Sequence, residues 1–244
     1  MSKLSYPISL DAWKIYIITD QFLEQSRSFQ TGLLGWFHQN GRQLPWRETH
    51  NPYYILISEL MLQQTQVDRV IEYYQKFITQ FPTLGVLAKA SEEEVLALWS
   101  GLGYYNRARN LFKIAQIIAT EYNGEFPQTK EQILALPGIG LYTVGAILTF
   151  AFNIRAPIVD TNVDRVLSRA FLRPSQQLSK HEKEQILWLL AESLLPEENY
   201  WAFNQGIMDF GALICIVDSP LCGFCFFRSA CYFYQHRSLT RFLR

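Results

Sequence analysis

Outside one short window this chain has no cysteine: all four lie within the 17 residues from Cys215 to Cys231. That excludes a disulfide framework distributed through the fold and suits a metal site in an intracellular protein. No apolar run reaches the roughly 18 residues of a membrane span, and the N-terminus lacks the basic, apolar and small-residue order of a secretory signal. A membrane partner is therefore not expected. Net charge is also missing, with Lys+Arg 22 against Asp+Glu 22, so any polyanion must be met by a local patch. There is no fixed-period repeat, no low-complexity linker and no period-two run with hairpin punctuation, so the fold class read from the chain is all-α. With 49% hydrophobic and 18% charged residues over 244 positions, disorder is excluded and a proper core is expected.

What is present centres on Leu136 to Asp160, LPGIGLYTVGAILTFAFNIRAPIVD. Pro137, Gly138 and Gly140 break two helical patterns with a tight turn whose glycines can take positive φ or admit another backbone closely. The helix from about Leu141 would then aim unpaired N–H groups outward, a place for a phosphate. Asp160 follows Pro157 and precedes a new helical pattern. An ordinary corner with a capping aspartate accounts for the same residues.

Upstream, two amphipathic patterns at about Leu10–Leu23 and Phe29–His38 are separated by polar Gln25-Ser26-Arg27-Ser28. Asn51-Pro52 supplies an N-cap and a first-turn proline for a helix to about Gln64. That helix is apolar on nearly every side yet carries Glu59. A glutamate there sits on a solvent stripe, in a buried ion pair, or as a functional acid; its neighbours leave little solvent-facing surface, which favours the last. Desolvation would raise its pKa and keep a proton available near neutrality. At the helix end Gln63 and Gln64 could read base edges or form a plain polar exit. Helices are also expected at Asp68–Phe81, from a Ser91–Glu94 capping box to Trp99, at Leu111–Tyr122, from a Thr129–Gln132 capping box, after Asp160, at His181–Leu195 and at Tyr200–Ile214. Gly101 to Arg109 joins a flexible turn to Tyr104, Tyr105, Arg107 and Arg109, a set suited to phosphate contact and base wedging, or to inward packing of the tyrosines.

Cys215-x6-Cys222-x2-Cys225-x5-Cys231 offers four thiolates and no histidine at similar spacing. Spacing alone leaves a [4Fe–4S] cluster and a zinc ion both open. From Phe226 to Arg244, Arg228, Arg237, Arg241, Arg244 and His236 form a basic end without acids, either a patch for a polyanion or a solvated tail.

Together the stretches LPWR, SELMLQQTQV, GLGYYNRARNL, LPGIGLYTVGAI, VDTNVDRVLSR and the cysteine loop resemble the helix-hairpin-helix DNA glycosylase superfamily, and within it the MutY-type adenine glycosylases. The resemblance covers about Leu44 to Cys231. It implies a two-lobed fold: a six-helix barrel over 44–154, and a [4Fe–4S] cluster lobe from 1–43 and 155–244, with the active site in the cleft between. It implies Glu59 as catalytic acid, Asp160 as the invariant aspartate and Tyr142 as the tyrosine beside it. Arg47 and Leu62 match residues around the extruded adenine, and Gln64 and Tyr104 residues inserted in the base stack. Gln63, the hairpin glycines Gly138 and Gly140, and Asn162 fall to the DNA-binding set, and Cys215, Cys222, Cys225 and Cys231 to the cluster. The implied partner is double-stranded DNA containing a mismatch, met by a monomer in the cytoplasm or nucleoid.

These residue types suit the chemistry. Adenine leaves readily once protonated, which Glu59 could do at N7, while Asp160 could stabilise the oxocarbenium-like sugar. The nucleotide must first be flipped out of the duplex. Endonuclease III-type relatives carry a lysine where this chain has Tyr142, so the resemblance implies a monofunctional enzyme. The chain departs from the family in stopping 13 residues after Cys231, without the usual C-terminal 8-oxoguanine-recognition domain, and in having Thr161 where adenine glycosylases have glycine. Two other readings remain: a thymine or uracil glycosylase acting at T:G or U:G mismatches, and a non-catalytic DNA-binding scaffold.

Overall fold

A computed structural model describes residues 9–172 and 178–240, and every regular element within them is helical. In chain order the α-helices are α1 (Leu10–Tyr16), α2 (Asp20–Asn40), α3 (Pro52–Leu62), α4 (Val67–Gln80), α5 (Leu84–Ala88), α6 (Glu92–Trp99), α7 (Asn106–Glu121), α8 (Lys130–Leu134), α9 (Leu141–Phe150), α10 (Thr161–Phe171), α11 (Lys180–Leu194), α12 (Tyr200–Leu213) and α13 (Tyr232–Thr240). They sort into two compact units, Gln43–Ile154, and Met1–Arg42 together with Arg155–Arg244. Among the described residues no helix is long and apolar enough to cross a membrane.

In the unit Gln43–Ile154, α3 is the central rod. Its expected start holds, for the Asn51 side chain accepts the Tyr53 N–H at 3.0 Å and Pro52 takes the first helical position. Helices α4, α7 and α9 pack around it, so Ile55, Leu56, Ile57, Leu60 and Met61 are all buried. Each such side chain contributes about 1.5–3 kcal/mol of burial, which explains why a helix with so little amphipathic character is stable here. The Ser91–Glu94 capping box opens α6 as expected. At α8 only half of the expected box forms: Thr129 accepts the Gln132 N–H, but its hydroxyl donates to the Gln132 side chain, which therefore does not reach back to the Thr129 amide.

The other unit has an aromatic core. Phe29 of α2 meets Phe171, Phe203, Phe226 and Phe227 with ring centroids 5.1 to 6.1 Å apart. Gly32 makes room for this: a Cβ there would stand 2.3 Å from the Phe226 ring. Arg42 fastens the segment after α2 to α12. Its Nη2 and Nε lie 2.6 and 2.8 Å from Asp209 Oδ1, and its backbone N–H donates to Oδ2 at 2.9 Å. The first helices differ from expectation. The chain breaks at Ile17–Thr19, where the Thr19 hydroxyl caps α2 by accepting from Phe22, and Gln25–Ser28 is one turn inside α2. Four polar residues make a helical turn and do not end a helix; a capping hydroxyl with extended backbone starts one.

Candidate functional site

Glu59 lies midway along α3 and is 4% exposed, between fully buried Ser58 and Leu60. A solvent-facing stripe is thereby excluded. Leu62 and Gln63 at the helix end are half-buried, as is Arg47, which closes a 3₁₀ turn, Pro45–Arg47, between buried Leu44 and Trp46.

Past α3 the backbone does something a plain polar exit would not. Gln64 has φ 58° and Tyr104, in the α6–α7 turn, φ 48°, left-handed values that cost non-glycine residues on the order of 1–3 kcal/mol each. Both line one open cavity of about 400 Å³ with Gln63, Tyr105, Asn106 and Arg107. Tyr104 is 58% exposed, so the tyrosines do not pack inward. The two arginines of this stretch do not stand free for phosphates. Arg109 Nε is 3.0 Å from Glu92 Oε1. Arg107 is buried: Nη1 donates to the carbonyls of Leu60 at 2.9 Å, Met61 at 2.8 Å and Gln63, and Nη2 to Thr65 Oγ1 at 3.1 Å and the carbonyls of Leu102 at 3.3 Å and Gly103 at 3.0 Å. Burial lowers its pKa, the neighbouring Tyr104 opposing.

In the Pro137–Gly140 turn the two glycines differ. Gly138 has φ 75° and a Cβ there would come 2.1 Å from Asn110 Nδ2, so the position needs glycine twice over. Gly140 has φ −108°, accessible to any residue, and open space around it. It is the N-cap of α9 with no side-chain hydrogen bond. Tyr142, in the first turn of α9, is half-buried.

In the other unit Asp160 caps α10 and is also half-buried. Its Oδ1 accepts the Val163 N–H at 2.7 Å and its Oδ2 the Asn162 side-chain amide at 2.9 Å. Burial holds the carboxyl above its ordinary range, and those hydrogen bonds with the Arg165 charge pull it back only in part. Asn162 Oδ1 in turn accepts from Arg165 Nη2 at 2.7 Å, and Arg165 also donates to the carbonyls of Cys215 and Gly211, both at 2.7 Å. One turn on, Arg169 donates to the carbonyls of Cys215 at 3.3 Å, Ile216 at 2.5 Å and Val217 at 2.5 Å. Arg165 and Arg169 stand four residues apart, a spacing that puts both on one side of α10. A Cβ on Gly211 would meet Asn162 Cβ at 2.6 Å, so α10 and α12 touch where the carboxylate and the cysteine segment begin.

Cys215 follows α12, Cys222 opens a 3₁₀ turn, and Cys231 precedes α13; none of the four is in a disulfide and all are half-buried. Burial pushes the Cys225 thiol up to about 11, and Cys231, Cys215 and Cys222 each add to the rise, which puts the four in one electrostatic neighbourhood. Among the described residues no group of three or more His, Cys, Asp or Glu stands ready to hold a metal ion. The donor set itself, four thiols on one short segment, fits an iron–sulfur cluster. Of the basic end, Arg228 is exposed and His236 stacks on Tyr232 with centroids 4.0 Å apart. Arg241 and Arg244 lie outside the described residues, as does the side chain of Arg237.

Residues 57–192 match the family of HhH-GPD superfamily base excision DNA repair proteins. An adenine DNA glycosylase of Buchnera aphidicola subsp. Baizongia pistaciae is 45% identical over 212 residues, 86% of this chain and 60% of the relative. The chain thus spans less than two thirds of that relative's length. A solved thermostable thymine-DNA glycosylase superposes with a TM-score of 0.82 at 34% identity, covering 88% of this chain and 99% of that one. A trapped endonuclease III–DNA covalent intermediate gives a TM-score of 0.74 at 25% identity, with 88% and 98% covered. The family match takes in more than half of the residues, and the solved relatives share the all-helical fold. The chain belongs to the HhH-GPD superfamily of base excision DNA repair proteins.

Proposed function

We propose that this chain is a monofunctional DNA glycosylase that removes adenine mispaired with 8-oxoguanine or guanine from double-stranded DNA, acting as a monomer. The observation that carries the reading is a carboxylic acid enclosed in the apolar central helix α3, Glu59 at 4% exposure. A carboxyl there is held for proton transfer and not for solubility. Glu59 donates its proton to N7 of adenine, the N-glycosidic bond breaks with its electrons going to the base, and the Asp160 carboxylate stabilises the oxocarbenium-like sugar until water adds at C1′. Tyr142, where endonuclease III-type relatives carry a lysine, offers no amine, so no Schiff base forms and the strand stays whole. Arg47 and Leu62 enclose the extruded base. Gln63, Gln64 and Tyr104 occupy the gap it leaves in the stack, offsetting part of the few kcal/mol that flipping costs. Gly138, Gly140 and the N-terminus of α9 take a phosphate, and Asn162 holds Asp160 in place. Cys215, Cys222, Cys225 and Cys231 would hold a [4Fe–4S] cluster, which when bound cross-links the segment after α12; no step of base release runs through it.

A second reading, removal of thymine or uracil opposite guanine, is favoured by one observation: a solved thymine-DNA glycosylase superposes with a TM-score of 0.82 at 34% identity. Duplexes carrying A opposite 8-oxoguanine, A opposite G, T opposite G and U opposite G, followed by alkali, separate the two. Abasic product from the A-containing duplexes alone supports the proposal. Product from T or U alone supports the second reading, and none from any duplex supports a scaffold.

A further inference from the structure

One guanidinium, that of Arg107, gathers acceptors from two loops far apart in the chain. From one side come the last carbonyls of α3 and the Thr65 hydroxyl; from the other come the carbonyls of Leu102, Gly103 and, through Nε at 3.4 Å, Tyr104. The group also lies 5.5 Å from the Trp99 ring and 5.4 Å from the Tyr104 ring. Each loop bears one left-handed non-glycine residue, Gln64 in the first and Tyr104 in the second. Such conformations persist only where the surroundings over-determine them. Here the surroundings are Arg107, because both carbonyls adjoining the strained residues, Gln63 and Gly103, point at it. Only a planar fork with five N–H donors can hold acceptors on two sides at once; a lysine at this site supplies a charge with three donors and no fork.

We propose that Arg107 is a positioning residue: it fixes Gln64 and Tyr104 on the rim of their shared cavity in the conformation in which they enter the base stack, before DNA arrives. The inference deepens the proposed function and rests on it for what the two side chains do. It assigns Arg107 no contact with DNA.

The test uses the full chain and the substitutions Arg107→Lys and Arg107→Met. Amide hydrogen exchange in the free protein reads the clamp directly. A 2-aminopurine placed beside an A opposite G reads unstacking, and single-turnover adenine release reads the consequence. Arg107→Lys should raise exchange at residues 62–66 and 101–105 while leaving the core of α9 protected, reduce the fluorescence rise, and slow release by about tenfold, with affinity for a fully paired duplex unchanged. Unchanged exchange and fluorescence in Arg107→Lys overturn the proposal, as does a loss of paired-duplex affinity by the same factor as the rate, which would make Arg107 a phosphate contact. Should Arg107→Met not fold, Arg107→Lys decides alone. Should the parent release no adenine, the glycosylase reading fails, and exchange and fluorescence still decide the clamp.

Discussion

Substituting Glu59 by Gln is the most informative single perturbation. The amide has nearly the shape of the carboxyl, so α3 keeps its packing among α4, α7 and α9. What disappears is the transferable proton. A positioned general acid contributes about 10²–10⁴-fold, equivalent to about 2.7–5.5 kcal/mol of barrier. Because Glu59 is 4% exposed, bulk water cannot reach its place to substitute for it, and the larger part of that range is expected. Glutamine keeps a hydrogen-bonding group at that place without the cost of a buried charge, so the melting temperature should stay level or rise. The assay is single-turnover adenine release, paired with mismatch-duplex affinity and thermal melting. Release falling at least about a hundredfold with affinity retained supports the assignment. A variant that folds, binds and turns over within a few-fold of the parent would refute the reasoning, because the acid would then be structural.

Three further outcomes are expected. Asp160→Asn should abolish turnover yet preserve the cap of α10, as asparagine caps as well as aspartate. Since burial raises the Asp160 pKa in the folded chain above the ordinary value of 3.8, ionising it costs stability; the cost is absent below that value and grows as pH rises toward the folded pKa. Melting curves should therefore show Asp160→Asn gaining on the parent between acid and neutral pH, and a constant difference would contradict the shift. Asp209→Ala leaves Arg42 without the ion pair that holds α2 to α12, and Asp209 is fully buried; breaking such a pair costs about 3 kcal/mol or more, lowering the melting temperature by roughly 6–12 °C at this size. Gly138→Ala forces a Cβ into Asn110 at positive φ and should cost about 1–2 kcal/mol with weakened duplex binding; an unaltered affinity would detach the turn from DNA.

Much of this was legible in the chain because the causes are local. Asn51 before a proline, Ser91 three residues before Glu94, and an apolar run around Glu59 each fix their element within a few residues. The failures share a different cause. The boundary at Thr19 depends on one hydroxyl taking one amide, which composition cannot distinguish from the polar turn at Gln25–Ser28. Arg107 looked like a phosphate ligand because its acceptors, Leu60 and Met61, stand 47 and 46 residues away and become visible only once α3 and α7 are packed. The left-handed backbone at Gln64 and Tyr104 has no signature at all in residues that are not glycine. Arg165 and Arg169 needed the close approach of α10 and α12, which Gly211 permits.

The central claim is that a protonated Glu59 releases adenine by hydrolysis and leaves the strand intact. Mass analysis of one reaction on a duplex containing A opposite 8-oxoguanine tests it most directly, reading the freed base and the modified strand together. Free adenine with an unbroken strand bearing a hydrated abasic sugar is the predicted result. Freed base of another kind from the remaining mismatches with none from this one, or strand ends produced by elimination, would contradict it.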